Sequence, residues 1–182
     1  MRRIYESGRS NVLANNAMVA TSQPLSSQEA INILRLGGNA VDAAIAASAV
    51  LSVVEPGSTG IGGDCFAIVK MENKKPISFN GSGINPKNAD LNFFKKNKID
   101  KIELLSPHSV TIPGAVHAWY EMHKKFGKLD FEQLFKTSEK YARNGFPVHE
   151  IEAYHWKKNE DKLKKNKITR KEFLPWDIGT GV

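Results

Sequence analysis

Residues 39–69 of this chain read NAVDAAIAASAVLSVVEPGSTGIGGDCFAIV, and no other segment says as much about its fold. Its first half, residues 41–54, is rich in alanine and is interrupted after Asp42 only by Ser48 and Ser52. A helix without a polar face needs protein on every side, so the sequence predicts a fully buried helix here. The apolar run holds about a dozen residues, which is too few to cross a bilayer.

The glycines of this stretch predict a loop that leads from the helix into a strand. Gly57, Gly60, Gly62 and Gly63 fall within seven positions, and the apolar run at residues 65–69 has strand character. Glycine lets bare backbone lie beside a core. Phosphate-binding glycine loops run from a strand into a helix, which is the opposite order, so backbone packing is the favoured interpretation. Helix, loop and strand together predict a layered α/β fold of the α+β kind.

Length and composition predict that residues 1–182 form one domain or a large piece of one. The hydrophobic fraction is 41% and the charged fraction is 25%, as in soluble globular domains, and no linker or repeat divides the chain. Two arginines near the N-terminus are not followed by an apolar segment. We therefore expect no leader peptide, no membrane insertion and a cytoplasmic location.

Cysteine and histidine usage argues against a metal centre. Cys65 is the only cysteine, which excludes an internal disulfide and a cysteine cluster, and we interpret it as a strand cysteine rather than a nucleophile. The five histidines lack the spacing of metal ligands, and His123 is interpreted as a packed side chain on a helix. We predict no metal and no cofactor.

The net charge of +7 is spread along the chain rather than concentrated in one binding motif. Residues 157–171 hold eight lysines and arginines, but no aromatic side chain lies between them. Proteins that bind single-stranded nucleic acids combine cations with aromatic stacking platforms. We therefore predict a solvated helical face and no nucleic-acid partner, with a basic nucleic-acid-binding domain as the remote alternative.

Local patterns predict the elements that precede residues 39–69. Residues 17–21 form a short apolar run that predicts an early strand. Ser26 and Glu29 have the spacing of a capping box, so a helix is expected to start at Ser26 and to end at the glycine pair 37–38. Asn39 is then placed to cap the buried helix.

Further patterns predict a hairpin and a series of helices after the glycine loop. The hairpin pairs residues 65–71 with residues 76–79 across a polar turn. Helices are expected within residues 89–97, after Gly114, after Asp130 and, as a lysine-rich helix, beyond His149.

Several segments occur in the order of a known N-terminal signature. They are residues 18–28 (MVATSQPLSSQ), 37–44 (GGNAVDAA), 54–56 (VEP) and 58–63 (STGIGG), followed less closely by 110–114 (VTIPG) and 142–147 (ARNGFP). In these segments the chain resembles the gamma-glutamyltranspeptidase family, most clearly over residues 17–147.

The resemblance implies the N-terminal part of an N-terminal-nucleophile (Ntn) hydrolase, an αββα sandwich that is incomplete in this chain. In that family a precursor cuts itself, and the newly exposed threonine acts as the nucleophile with its own amine as base. The family threonine stands in a Thr-Thr-His or Thr-Ser-His motif, which is not found at Thr21, Thr59, Thr111, Thr137, Thr169 or Thr180. We therefore assign no catalytic residue and predict that this chain alone is inactive.

The resemblance also implies a substrate site in the loop after the second strand, at Asn80, Gly81, Ser82 and Gly83. Transpeptidases of the family place an arginine in this loop, which holds the glutamyl carboxylate through a bidentate pair. Here the corresponding position is Asn80 or Ile84, depending on the alignment, so the cation is missing.

The resemblance thus predicts an N-terminal fragment of a gamma-glutamyltransferase-like enzyme. The complete enzyme would transfer or hydrolyse the acyl group of a gamma-glutamyl or related small amide. The alternatives are a non-catalytic scaffold and one half of a split amidohydrolase, which would need a partner chain that bears the catalytic threonine.

Overall fold

The structure is a computed structural model that describes residues 11–174. Within that range the α-helices are α1 (Pro24–Arg35), α2 (Ala40–Val54), α3 (Leu91–Lys96), α4 (Ala115–Phe126), α5 (Lys136–Asn144), α6 (Glu150–Lys158), α7 (Glu160–Lys164) and α8 (Lys167–Phe173). The strands are β1 (Cys65–Val69) and β2 (Ile77–Gly81), and short 3₁₀ helices lie at Pro107–Ser109 and Phe131–Phe135. Over these residues, no helix is long and apolar enough to cross a membrane.

Helix α2 is the centre of the core. Nine of its 15 residues are buried, and it packs against α1, α4, α5 and the 3₁₀ helix Phe131–Phe135. Ile45 and Val50 are each no more than 1% exposed. One side remains open, because Ala44 is exposed and the Ser48 hydroxyl donates back to the Ala44 carbonyl at 2.8 Å. The predicted helix is therefore confirmed, but it is buried over most of its circumference rather than all of it.

The start of α2 is held by a buried network around Asp42, which is 0% exposed. Asn39 caps the helix as predicted, and Asp42 completes a capping box by accepting from the Asn39 N–H at 2.9 Å. Both Asp42 oxygens also accept from the Lys128 N–H at 3.1 Å. His123 Nε2 lies 2.7 Å from the Leu129 carbonyl oxygen and 3.8 Å from Asp42 Oδ1. The network joins α2 to the turn that follows α4.

The β1–β2 hairpin forms as predicted, with Cys65 opposite Gly81 in an antiparallel pair. Cys65 and Ala67 pack against the helical core, whereas Phe66 and Ile68 on the other face are 64% and 79% exposed. Helix α4 contacts both strands. The residues that the structure describes therefore form a helical layer on one hairpin, and they leave its outer face uncovered.

The early strand predicted at residues 17–21 is wrong. Between residues 11 and 174, β1 and β2 pair only with each other, and residues 17–21 belong to no sheet. The Thr21 hydroxyl donates to the Gln23 carbonyl at 2.8 Å and lies 2.7 Å from the Ser27 hydroxyl. These bonds turn the chain into α1 directly after the apolar run.

Helix α1 begins two residues before its predicted start. Its N-cap is Gln23, whose Oε1 accepts from the Ser26 N–H at 3.3 Å, and Pro24 occupies the first position, where a helix needs no N–H donor. The predicted capping box of Ser26 and Glu29 is therefore wrong. Ser26 is buried instead, and its hydroxyl donates to the Ala47 carbonyl at 2.9 Å, which joins α1 to α2.

The later helices also differ from the prediction. The segment after Asp130 begins as a 3₁₀ helix before it becomes α5, and the Asp130 side chain makes no capping bond. The lysine-rich region is three short helices rather than one. The breaks fall at Asn159 and Asn166, a residue type that competes for backbone hydrogen bonds inside helices. Asn166 accepts from the Ile168 N–H at 2.9 Å and so caps α8.

Candidate functional site

Three loops that are distant in sequence meet beside the hairpin. The glycine loop (residues 57–63) follows α2, residues 82–84 follow β2, and residues 110–114 precede α4. Each of these segments belongs to, or adjoins, a motif that the sequence analysis singled out. Their convergence therefore brings separate motifs to one place.

Backbone hydrogen bonds hold the three loops together. The Gly63 carbonyl accepts from the N–H groups of Gly114 and Ala115 at 2.9 and 3.1 Å. The Ile112 N–H donates to the Ile84 carbonyl at 2.9 Å. The start of α4 is thus fixed to the glycine loop on one side and to the end of the hairpin on the other.

Glycines are required where these backbones approach. A Cβ on Gly114 would lie 2.4 Å from the Gly81 carbonyl oxygen, and one on Gly81 would lie 2.4 Å from the Ala118 Cβ. Gly83 has φ +73°, and a Cβ there would lie 1.9 Å from the Ile112 carbonyl oxygen. Any side chain at these positions would force the loops apart.

A cavity of about 380 Å³, here called the glycine cavity, opens at this junction. All four residues predicted to bind substrate line it: Asn80, Gly81, Ser82 and Gly83. Asn80 Oδ1 accepts from the Ser82 N–H at 3.1 Å, and the Thr111 hydroxyl donates to the Ser82 carbonyl at 3.0 Å. Asn80 is exposed, and an asparagine amide can both donate to and accept from a ligand. The structure therefore brings the predicted residues together, while their binding role stays a prediction.

The second strand reaches two residues further than predicted, which places Asn80 and Gly81 inside β2 rather than in the following loop. The backbone of a residue in a paired strand is held more rigidly than that of a residue in a loop. Phe66 pairs with Asn80 in the register, and Cys65 pairs with Gly81. The floor of the glycine cavity is thus part of the hairpin itself.

His117 also lines the glycine cavity, although no sequence pattern marked it as a site residue. It lies in the first turn of α4, three residues after Gly114. The only signal was its place on the helix that begins directly after the glycine of the 110–114 motif. Among the lining residues that the structure describes, His117 is the only ionisable side chain, and neither arginine nor lysine is present.

Cys65 has the character of a structural thiol. It is half-buried in β1, and burial raises the pKa of the thiol, while a hydrogen bond to Trp119 acts in the opposite direction. A raised pKa leaves less of the nucleophilic thiolate. This agrees with its interpretation as a strand cysteine. In the part of the chain from 11 to 174, no group of three histidine, cysteine or acidic residues could hold a metal ion.

The fold and the site together define the N-terminal part of an Ntn hydrolase, present as a partial domain. The family model described as gamma-glutamyltranspeptidase matches residues 26–181. The chain therefore belongs to the gamma-glutamyltranspeptidase family.

Individual relatives agree with this assignment. The chain is 35% identical over 164 residues to the glutathione hydrolase-like YwrD proenzyme of Bacillus subtilis, covering 90% of this chain and 31% of that protein. The crystal structure of Helicobacter pylori gamma-glutamyltranspeptidase is similar with a TM-score of 0.78 and 28% identity, over 89% of this chain and 47% of that chain. The crystal structure of cephalosporin acylase from Bacillus halodurans is similar with a TM-score of 0.76 and 35% identity, over 89% of this chain and 32% of that chain. The chain thus spans less than half the length of each of these proteins.

Proposed function

We propose that this chain forms the substrate-facing N-terminal part of an enzyme that transfers or hydrolyses the acyl group of a gamma-glutamyl or related amide. The observation that carries the proposal is that the end of β2 and the 110–114 motif together line the glycine cavity, with Asn80 and Ser82 on its wall, while Gly63 of the third motif is bonded to Gly114. Family membership supports the reaction class. The nucleophile, in this proposal, is a threonine supplied by polypeptide outside these 182 residues.

The chemistry assigns most of the covalent work to that threonine. Its amine takes the hydroxyl proton, the oxygen attacks the amide carbonyl, and the amine product leaves with the proton as the threonine ester forms. Water or an acceptor amine then cleaves the ester. The residues of this chain bind and orient the acyl group, so their removal is expected to weaken substrate binding and positioning rather than to abolish the nucleophile.

A second candidate substrate class is a small amide whose acyl group lacks the glutamyl carboxylate. It is favoured by the walls of the glycine cavity, where Ile84 is 71% exposed and no arginine or lysine is among the lining residues described. Bidentate recognition of a carboxylate needs a guanidinium group. The similarity to a cephalosporin acylase also supports this second substrate class.

The same observations fit one half of a split amidohydrolase. The exposed outer face of the hairpin, with Phe66 and Ile68, would then pack against a partner chain that carries the threonine. A non-catalytic scaffold would keep the fold but bind no amide. Substrate dependence of any complex distinguishes these possibilities.

The experiment is a complementation assay. Residues 1–182 are produced alone and together with a polypeptide that bears the family's Thr-Ser-His or Thr-Thr-His segment, and the hydrolysis of gamma-glutamyl and simple acyl anilides is compared. We expect turnover only from the pair, and a lower kcat/KM when Asn80→Ala is introduced. Asn92→Ala, on the exposed helix α3, is the matched control and should leave kcat/KM unchanged. Turnover by residues 1–182 alone would disprove the external threonine.

A further inference from the structure

A second cavity, of about 490 Å³, lies between the C-terminal end of α2 and the helices α6 to α8. We call it the carboxylate cavity, because Glu55 lines it from the α2 side and Glu152 from α6. His149 and Trp156 also line it, as do the first residues of the glycine loop. Its volume is in the usual range for small-molecule sites.

Glu152 is the unusual group in this cavity. It is only 7% exposed, and its Oε1 lies 4.0 Å from the position that a Cβ on Gly57 would take, so the carboxyl group points across the cavity. Its own N–H donates to His149 Nδ1, but its side chain accepts no hydrogen bond from residues 11–174. A buried carboxylate that accepts no hydrogen bond from the described residues is costly to ionise unless a ligand supplies a donor.

The surroundings of Glu152 make its charge still less favourable. Burial raises the pKa of Glu152, the negative charge of Glu55 raises it further, and His155 and His149 lower it to a smaller extent. Glu55 itself accepts a hydrogen bond from the Ser22 hydroxyl. Two carboxyl groups thus face one cavity, and neither forms an ion pair with a lysine or arginine among the residues that the structure describes.

Lys162 is the one lysine among the described lining residues of this cavity, but it is exposed and makes no ion pair with Glu55 or Glu152. The remaining walls are largely apolar and include Ile151 and the aromatic rings of Trp156 and Phe173. An aromatic face beside carboxylates suits a cation that carries an alkyl chain. A neutral alcohol of the same length would use the apolar walls but not the carboxylates.

We propose that the carboxylate cavity binds a small organic cation, a primary ammonium group on a short apolar chain. Glu152 and Glu55 accept hydrogen bonds from the ammonium group, and Trp156 contacts the chain. The ammonium supplies the donors that Glu152 lacks and neutralises one of the two charges. This site is independent of the proposed acyl-transfer activity, because it involves neither the glycine cavity nor the external threonine.

The test is binding of n-butylammonium to the full 182-residue chain, followed by calorimetry, with 1-butanol as the neutral isostere. We expect the amine to bind at least about tenfold more tightly than the alcohol, because hydrogen bonds to charged groups are the stronger ones. Glu152→Gln should weaken amine binding by about tenfold and leave butanol binding unchanged. Lys162→Ala should strengthen amine binding about twofold by removing a like charge at the rim.

Glu139→Gln is the matched control, because Glu139 is an exposed acid on α5 that does not line the cavity. It should leave amine binding unchanged. Equal binding of amine and alcohol, no measurable amine binding, or unchanged binding by Glu152→Gln would overturn the proposal. Circular dichroism establishes that each variant is folded. If Glu152→Gln is not folded, Glu55→Gln decides, since a several-fold loss supports the site and unchanged binding refutes it.

Discussion

The helical layer formed by α1, α2, α4 and α5 and the C-terminal segment formed by α6, α7 and α8 are both helical, but different forces hold them. The layer buries large apolar side chains, among them Ile33, Ile45 and Trp119. In the C-terminal segment through residue 174, only Glu152 and Leu174 are buried. Lysine favours helix locally, yet short helices gain most of their stability from an apolar face that packs. Helix α2 is therefore fixed by its tertiary contacts, and α6 to α8 chiefly by local propensity.

Charged groups also differ between the helical layer and the C-terminal segment. In the layer, Asp42 is buried and satisfied by backbone N–H groups. In the C-terminal segment, Glu160 lies between Lys157 and Lys164, and hydrogen bonds from these two lysines lower the pKa of Glu160 to about 2. Exposed ion pairs of this kind contribute little to stability. Substitutions in the layer should therefore cost far more than substitutions in the C-terminal segment.

The largest expected difference comes from truncating one core side chain in each region. Ile45→Ala, at a residue 1% exposed in α2, should lower the free energy of unfolding by about 2–5 kcal/mol. Leu163→Ala, at a half-buried residue of α7, should cost about 1 kcal/mol or less. Urea unfolding followed by circular dichroism measures both. Equal losses would contradict the division between the two regions.

The next largest effect is expected at the cap of α2. Asp42→Ala removes the capping-box acceptor and leaves the Lys128 N–H without its partner, so it should cost about 2–3 kcal/mol. Asp90→Ala is the control, because Asp90 caps the exposed helix α3 with one bond to the Phe93 N–H at 2.7 Å. It should cost about 1 kcal/mol. A smaller loss for Asp42→Ala than for Asp90→Ala in the same unfolding experiment would refute the role of the buried network.

Two glycine substitutions compare a position where backbones touch, Gly114, with an open position of the glycine loop, Gly60. Gly114→Ala places a methyl group 2.4 Å from the Gly81 carbonyl oxygen, and because that atom is backbone, we expect a loss of about 1–3 kcal/mol. Gly60→Ala, where a Cβ would meet no atom within 4 Å, should change stability by about 0.5 kcal/mol or less. Amide chemical shifts of Gly81 and Gly83 should move only in the first variant. Unmoved shifts there would show that the backbones do not touch.

The smallest effect, and one of opposite sign, is expected at Glu152. Its pKa is raised in the folded state, so the ionised group opposes folding at neutral pH, and the penalty vanishes below its ordinary pKa of 4.5, where both states are protonated. Glu152→Gln should therefore raise the melting temperature at pH 7 and leave it nearly unchanged at pH 4. The exposed Glu121→Gln is the control, with no expected pH-dependent change. A higher melting temperature at pH 4 but not at pH 7 would reverse the assigned sign.

The sequence predicted those parts of the fold whose signals are local and repeated. Helix α2 followed from its alanine-rich run and the cap at Asn39, and the hairpin followed from two apolar runs around a polar turn. The four predicted site residues are consecutive, and the structure adds that they share a cavity with residues 112–114 of a second motif, while their binding role stays a prediction. The site residues were thus proposed from the resemblance to the family, because hydrophobic periodicity predicts helices and strands but not binding residues.

The errors arose where tertiary contacts override a local pattern. Gln23, an uncommon N-cap residue, caps α1 in place of Ser26, because the Ser26 hydroxyl is buried against α2. His117 was missed because its position depends on how Gly114 and Ala115, at the start of α4, are bonded to Gly63, a contact across about fifty residues that no spacing rule reveals. The carboxylate cavity was missed because Glu55 and Glu152 lie almost a hundred positions apart.

The glycine loop also connects the two cavities. Gly57 and Ser58 line the carboxylate cavity, and Gly63 is bonded to the start of α4 at the rim of the glycine cavity. A Cβ on Gly60 or Gly62 would meet no atom within 4 Å, so the middle of the loop is unsupported by side-chain packing. A residue inserted there should therefore extend outward and leave both cavities where they are, because the packing of α4 on α2 and on the hairpin, not the length of the loop, fixes their separation.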